Sequence, residues 1–182
     1  LTIAQAVPSN GAMLVIASPQ VDVSEVEAKK IKAYLEAGGN FFWMLDDNNL
    51  RGLKEVADYL GLQVSPGIAM DMASAQYGAD ARVSFASLYG EHAITNNFML
   101  RTLFPEAHEV TAHGNDDNGW KVSNLVEVAP NGWLTSEKLA KVVKQVFNEK
   151  KNKKGLHNIG GHLDGINGKK GQRVVDRVKV TF

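Results

Sequence analysis

The chain has 182 residues, 44% of them apolar, with 20 basic and 20 acidic side chains and no cysteine. This length and composition suit a globular fold with its own core and exclude a disordered chain. The absence of cysteine excludes disulfides, a thiolate nucleophile and cysteine-ligated zinc or iron–sulfur sites.

Residues 12–17, Ala-Met-Leu-Val-Ile-Ala, form a continuous apolar run between Ser9-Asn10-Gly11 and Pro19. Such a run predicts a central parallel strand covered on both faces. Ser24 then starts a helix. Its hydroxyl can accept from the Glu27 backbone while the Glu27 carboxylate reaches back, which is the S-x-x-E capping box. Val26, Ile31, Tyr34 and Leu35 make the buried stripe, with Lys29, Lys30, Lys32 and Glu36 outside. Gly38 or Gly39 supplies a left-handed end. Residues 41–45, Phe-Phe-Trp-Met-Leu, are the next strand. Leu50, Leu53, Val56, Ala57 and Leu60 recur at helical spacing up to Gly61. Residues 62–64 make a short strand before Pro66-Gly67. The order β-α-β-α-β predicts an α/β fold of three layers, a mostly parallel sheet with helices on both faces. The chain, 1–182, reads as a single domain.

The middle of the chain is less regular. Residues 83–86, 100–104, 109–112 and 122–128 read as strands, with loops at 89–97 and 113–119. Leu139, Val142, Val143, Val146 and Phe147 recur at helical spacing across 136–148. Residues 149–171, rich in Gly, Lys and Asn, predict a mobile basic loop, and 173–180 a closing strand. From residue 136 onward the balance is 12 basic to 4 acidic side chains, so the rest of the chain is equally acidic. The basic cluster at 150–154 is not interleaved with aromatics and has no nucleic-acid motif beside it, so no nucleic-acid partner is expected. No apolar run is long enough to cross a bilayer as a helix. The chain opens on Leu1 without Met and closes on a strand-like end, which leads to the expectation that it belongs to a longer parent.

In parallel sheets, ligands gather at the carboxyl ends of the strands. Ser18 stands there after the first strand, and Asp46 and Asp47 after the second. Paired carboxylates could hold Mg²⁺ or do acid–base work, or could cap the helix that follows, with Asn48 and Asn49 as alternatives. Ser18 lacks the G-x-S-x-G elbow of a catalytic serine. Neither G-x-G-x-x-G nor G-x-x-x-x-G-K-[ST] occurs. His92 could be a site residue or could shape a turn. His157 and His162 are weakly spaced for metal. Trp43 reads as core, and Trp133 as the better surface candidate, though such a residue more often packs than binds. No metal and no cofactor are expected. Ser18, Asp46, Asp47 and His92 remain candidates for ligand or partner contact, with no catalytic residue assigned.

The ordered pieces Met13-Leu-Val-Ile-Ala-Ser-Pro19, Val23-Ser24-Glu25-Val26-Glu27, Tyr34-Leu-Glu-Ala-Gly38-Gly39-Asn40 and Phe42-Trp43-Met-Leu45-Asp46 resemble one family. Tyr89-Gly-Glu-His92, Leu103-Phe-Pro-Glu-Ala107 and Asn131-Gly-Trp133 continue the resemblance. The family comprises the extracytoplasmic auxiliary components of uncharacterised ABC-type transport systems, including gliding-motility transporters. The resemblance implies a glutamine-amidotransferase-like or flavodoxin-like fold. It implies a soluble domain on the periplasmic side of a bacterial inner membrane, its parent anchored by segments outside this chain. Its partners would be other subunits of a membrane transport complex. The amidotransferase activity needs a cysteine and is not carried over. The expected function is thus a non-catalytic binding or interaction domain of a transport system. The alternative is a hydrolase or transferase using Asp46, Asp47 and His92.

Overall fold

The computed structural model describes residues 5–8, 10–46, 48–113, 120–128, 132–136, 157–165 and 177–181. The chain divides into two compact units. The first comprises Leu1–Gln63, Ala112–Ser123 and Gly161–Thr181, and the second is built mainly from Val64–Thr111 and Asn124–Gly160.

The first unit opens with β1 (Leu14–Ala17), α1 (Glu25–Glu36), β2 (Phe41–Met44) and α2 (Lys54–Leu60). The capping box forms: the Ser24 side chain accepts from the Glu27 backbone, and the Glu27 carboxylate accepts from the Ser24 backbone at 3.2 Å. An N-cap hydroxyl of this kind is worth about 1 kcal/mol. Ser24→Ala should therefore lower the unfolding free energy by about 1 kcal/mol in urea titration, with the slope unchanged. Ala28, Ile31 and Leu35 are the buried face of α1. Val26 is not part of it and stands 63% exposed. Gly38 has the left-handed backbone expected after the helix. Gly61, also left-handed, ends α2. That helix starts only at Lys54 and has Leu53 as its N-cap, with no side-chain hydrogen bond there.

β2 is flanked on both sides by parallel strands: β1, and β10 (Arg177–Thr181). Phe41 and Trp43 are fully buried, and with Val56, Ala57 and Leu60 of α2 they supply the core of this unit. The expected central first strand is instead the end strand of its sheet. Its accessibility alternates, and Val15 is 47% exposed. The apolar run of residues 12–17 carries no information on whether a second neighbour pairs with it; β10, from the far end of the chain, takes the other side of β2.

The second correction concerns β3 (Leu62–Met70), which runs straight through Pro66-Gly67 rather than stopping at Val64. Over residues 67–70 it pairs antiparallel with β8 (Trp133–Ser136). Its other neighbour is β6 (His108–Ala112), so these strands form a separate three-stranded sheet. β3 is therefore not the third parallel strand of the first sheet, a place that β10 takes instead, and the doubly wound pattern of the sequence stops after α2. Gly67 permits the close approach, since a Cβ there would lie 3.2 Å from Leu134 Cβ and from the Thr135 carbonyl oxygen.

In the second unit, β4 (Val83–Tyr89) pairs antiparallel with β5 (Thr102–Pro105) and with residues 126–128 of β7 (Trp120–Val128). A short 3₁₀ helix, Met72–Tyr77, is capped by Asp71, which accepts from Ala73 at 3.0 Å. Ala69, Ala86, Ala107 and Val128 form a small-residue core. Residues 149–171, expected as a loop, contain β9 (His157–Gly165), which pairs antiparallel with β10 over residues 161–164. The helix expected at 136–148 lies outside the described residues except for Ser136. Antiparallel pairing thus dominates, and the three-layer, mostly parallel sandwich does not form. The physical reason is that hydropathy records burial but not strand direction. Direction was set by β3, β4, β5, β7, β8 and β9 each meeting an oppositely running neighbour.

Candidate functional site

The carboxyl ends of β1 and β2 frame a cavity of about 210 Å³ in the first unit. It is lined by Ser18, Pro19, Gln20, Leu45, Asp46, Asn49 and Arg51. Ser18 follows β1 directly, and its backbone N–H still donates to Met44 across to β2 at 3.0 Å. Its Oγ donates to Asp46 Oδ2. Gln20 folds back on the same residue, its Nε2 donating to the Ser18 carbonyl at 3.0 Å and to Ser18 Oγ at 3.3 Å.

The backbone of Ser18 is unusual. A residue before proline is pushed toward extended conformations, yet Ser18 has φ 37. Arg51, which also lines the cavity, has φ 48. Non-glycine residues in this region each cost about 1–3 kcal/mol and cluster at ligand sites. The loop around Arg51 is pinned from both directions. Its N–H donates to Asn49 Oδ1 at 3.0 Å, and its carbonyl accepts from Val23 at 2.8 Å. The next residue, Gly52, has φ 79 and abuts the Val23 carbonyl. The cavity wall is therefore a preformed, strained turn.

Of the sequence candidates, Ser18 and Asp46 meet here. Asp47 lies outside the described residues. Asp46 does not cap α2, whose N-cap is Leu53; its described partner is Ser18. His92 belongs to the second unit and is engaged in its own turn. Its Nδ1 accepts from the Ile94 N–H at 3.1 Å, and its carbonyl accepts from Asn96 at 2.7 Å. Trp133, read from sequence as the better surface aromatic, is 2% exposed, and Trp43 and Trp120 are also buried. Sequence reading missed Gln20, Asn49 and Arg51. Asn49 and Gly52 carried a turn signal, but nothing in the sequence pointed Gln20 back at Ser18.

The cavity offers a carboxylate, a hydroxyl, two amides and a guanidinium-bearing residue. That donor and acceptor set suits a small polar ligand. A serine nucleophile is normally activated by an adjacent His or Lys base, and the lining of this cavity contains neither. Among the described residues, no group of three or more His, Asp or Glu is placed to hold a metal ion. No helix among them is long and apolar enough to cross a membrane.

No protein-family model matches the chain. No curated protein matches it either. Among solved structures it is similar to the mmIFT52 N-terminal domain, with a TM-score of 0.59 and 12% identity, covering 93% of this chain and 64% of that one. This chain therefore spans under two thirds of that protein's length. At such identity the likeness shows the fold alone. The resemblance to ABC-type auxiliary components, and the glutamine-amidotransferase-like fold it implied, are corrected by these findings. The pairing is mostly antiparallel, and no family model supports the resemblance. What the chain shares with a known protein is the fold of the mmIFT52 N-terminal domain.

Proposed function

We propose that the chain is a non-catalytic binding and interaction module, and that its first unit holds a small polar ligand at the carboxyl ends of β1 and β2. The observation that carries this reading is Ser18, held with positive φ and bonded to Asp46 inside a cavity that Gln20, Asn49 and Arg51 help to line. Strained backbone clusters at ligand sites, and Ser18 and Arg51 both carry it in the lining of this cavity. With the Ser18 hydroxyl donating to Asp46, the pair presents acceptor oxygens to a ligand hydroxyl or amine. The hydrolase alternative gains nothing from His92, whose ring and carbonyl already serve its own turn.

Thermal-shift titration with small polyols and amino acids tests the proposal. A ligand should raise the melting temperature of the wild-type chain and have no effect on Ser18→Ala or Asp46→Asn. Both variants should themselves fold, because both positions lie at the cavity rather than in the core. A purified hydrolytic activity abolished by either substitution would overturn the non-catalytic reading.

A further inference from the structure

The cavity at the carboxyl ends of β1 and β2 carries charge of both signs. Among its described lining residues, Asp46 is the one acid and Arg51 the one base. The hydrogen bonds around Asp46 give that end a fixed polarity. Ser18 Oγ donates to Asp46 Oδ2. Gln20 Nε2 donates to Ser18 Oγ at 3.3 Å and to the Ser18 carbonyl at 3.0 Å. A serine hydroxyl has a single proton and an ionised carboxylate has none. The Ser18–Asp46 end therefore offers a ligand acceptor oxygens and negative charge. Arg51 has the opposite character. Its guanidinium carries five donors in a planar fork and no acceptor, the geometry that engages a carboxylate through two parallel hydrogen bonds.

The strained backbone falls at these same two places. Among the described lining residues, positive φ belongs to Ser18, the partner of the acid, and to Arg51, the base itself. Asn49 Oδ1 accepts from the Arg51 N–H at 3.0 Å and so orients the turn that carries the guanidinium. A neutral polyol seated here would cover both charges and return only hydrogen bonds to them. Covering a charge without a countercharge is costly, and a ligand that brings one cation and one anion offsets both costs. The cavity volume, about 210 Å³, is roughly that of seven waters at about 30 Å³ each, which is the size of a small amino acid.

We propose, resting on the reading of this cavity as a ligand site, that its ligand is a small zwitterion, a free amino acid. The ammonium donates to Asp46, and the carboxylate accepts from Arg51. Ser18 and Gln20 hold the Asp46 carboxylate in place, and Asn49 does the same for the turn at Arg51. Selectivity follows from the two ends. An amine without a carboxylate leaves Arg51 facing an uncharged group, and an acid without an ammonium leaves Asp46 so. Each loss removes a charge-assisted hydrogen bond, which is worth a factor of about ten or more in affinity.

Isothermal titration calorimetry of the 182-residue chain with a matched series is the test. The probes are glycine, L-alanine and L-serine, the amide of each, the corresponding hydroxy acids (glycolate, L-lactate and L-glycerate), and glycerol. At least one of the amino acids should bind about tenfold or more tighter than its own amide, its own hydroxy acid and glycerol. Arg51→Gln should bring that amino acid down to the affinity of its amide and leave the amide unchanged. Arg51→Lys, which keeps the charge but not the fork, should retain part of the preference. Circular dichroism should show both variants folded, because residue 51 lies at the cavity rather than in the core. Glycerol binding as tightly as the amino acids, and lost in Ser18→Ala, would overturn the zwitterion while leaving the cavity a ligand site. So would an amide or hydroxy acid that matches its amino acid, or an Arg51→Gln chain that keeps the preference. No binding of any probe would overturn the zwitterion and the ligand site together.

Discussion

Leu45→Asp should abolish folding of the first unit. Leu45 is 4% exposed and follows β2, which has parallel neighbours on both sides. Removing the leucine forfeits about 2–3 kcal/mol of apolar burial. The new carboxylate must then either stay charged without a partner or neutralise at a cost of several kcal/mol. Asp46 is adjacent in the chain, so like charge adds to the penalty. Small proteins hold only about 5–15 kcal/mol in total, and a loss of this size consumes most of it. The expected readout is loss of the cooperative thermal transition by circular dichroism, or an insoluble product. Leu45→Ala should instead fold, weakened by about 2–5 kcal/mol. A soluble Leu45→Asp chain with an unchanged melting curve would refute the placement of residue 45 in the core.

Gly52→Ala should destabilise by about 3 kcal/mol or more, combining backbone strain with a clash against main chain. Gly52 has φ 79, a conformation that costs an L-residue about 1–2 kcal/mol. The added Cβ would also sit 2.1 Å from the Val23 carbonyl oxygen and 3.1 Å from Val23 N. Backbone cannot swing aside as a flexible side chain can. The substitution must therefore displace the hydrogen bond from Val23 N–H to the Arg51 carbonyl, which is 2.8 Å long. Gly78→Ala separates the two contributions. Gly78 has φ 72 but nothing within 4 Å of a Cβ, so that variant should lose only the conformational part, about 1 kcal/mol. Equal losses for the two variants in urea titration would remove the steric argument. Because Arg51 lines the cavity, Gly52→Ala should also weaken ligand binding at temperatures where the chain stays folded.

Local chemistry was legible where neighbours in sequence are neighbours in space. The capping box of Ser24 and Glu27, the left-handed Gly38 and Gly61, and the buried Ile31 and Leu35 all follow from spacing alone. The address of the candidate site was legible for the same reason, since Ser18 and Asp46 each terminate a recognisable apolar run. Their meeting required the parallel register of β1 and β2, which aligns Ala17 with Met44. The role of Asp46 was not legible, because a carboxylate after a strand looks alike whether it caps a helix or accepts from a serine.

By itself, then, the amino-acid sequence determined the strand–helix–strand start, its caps and most of its buried residues, because these depend on contacts a few residues apart. Tertiary structure alone decided which strands run parallel, that β3 leaves for a second sheet, and that β10 rather than β1 completes the interior of the first. Hydrophobic patterning measures how much of a side chain is covered, and it is blind to the direction and identity of the strand that covers it.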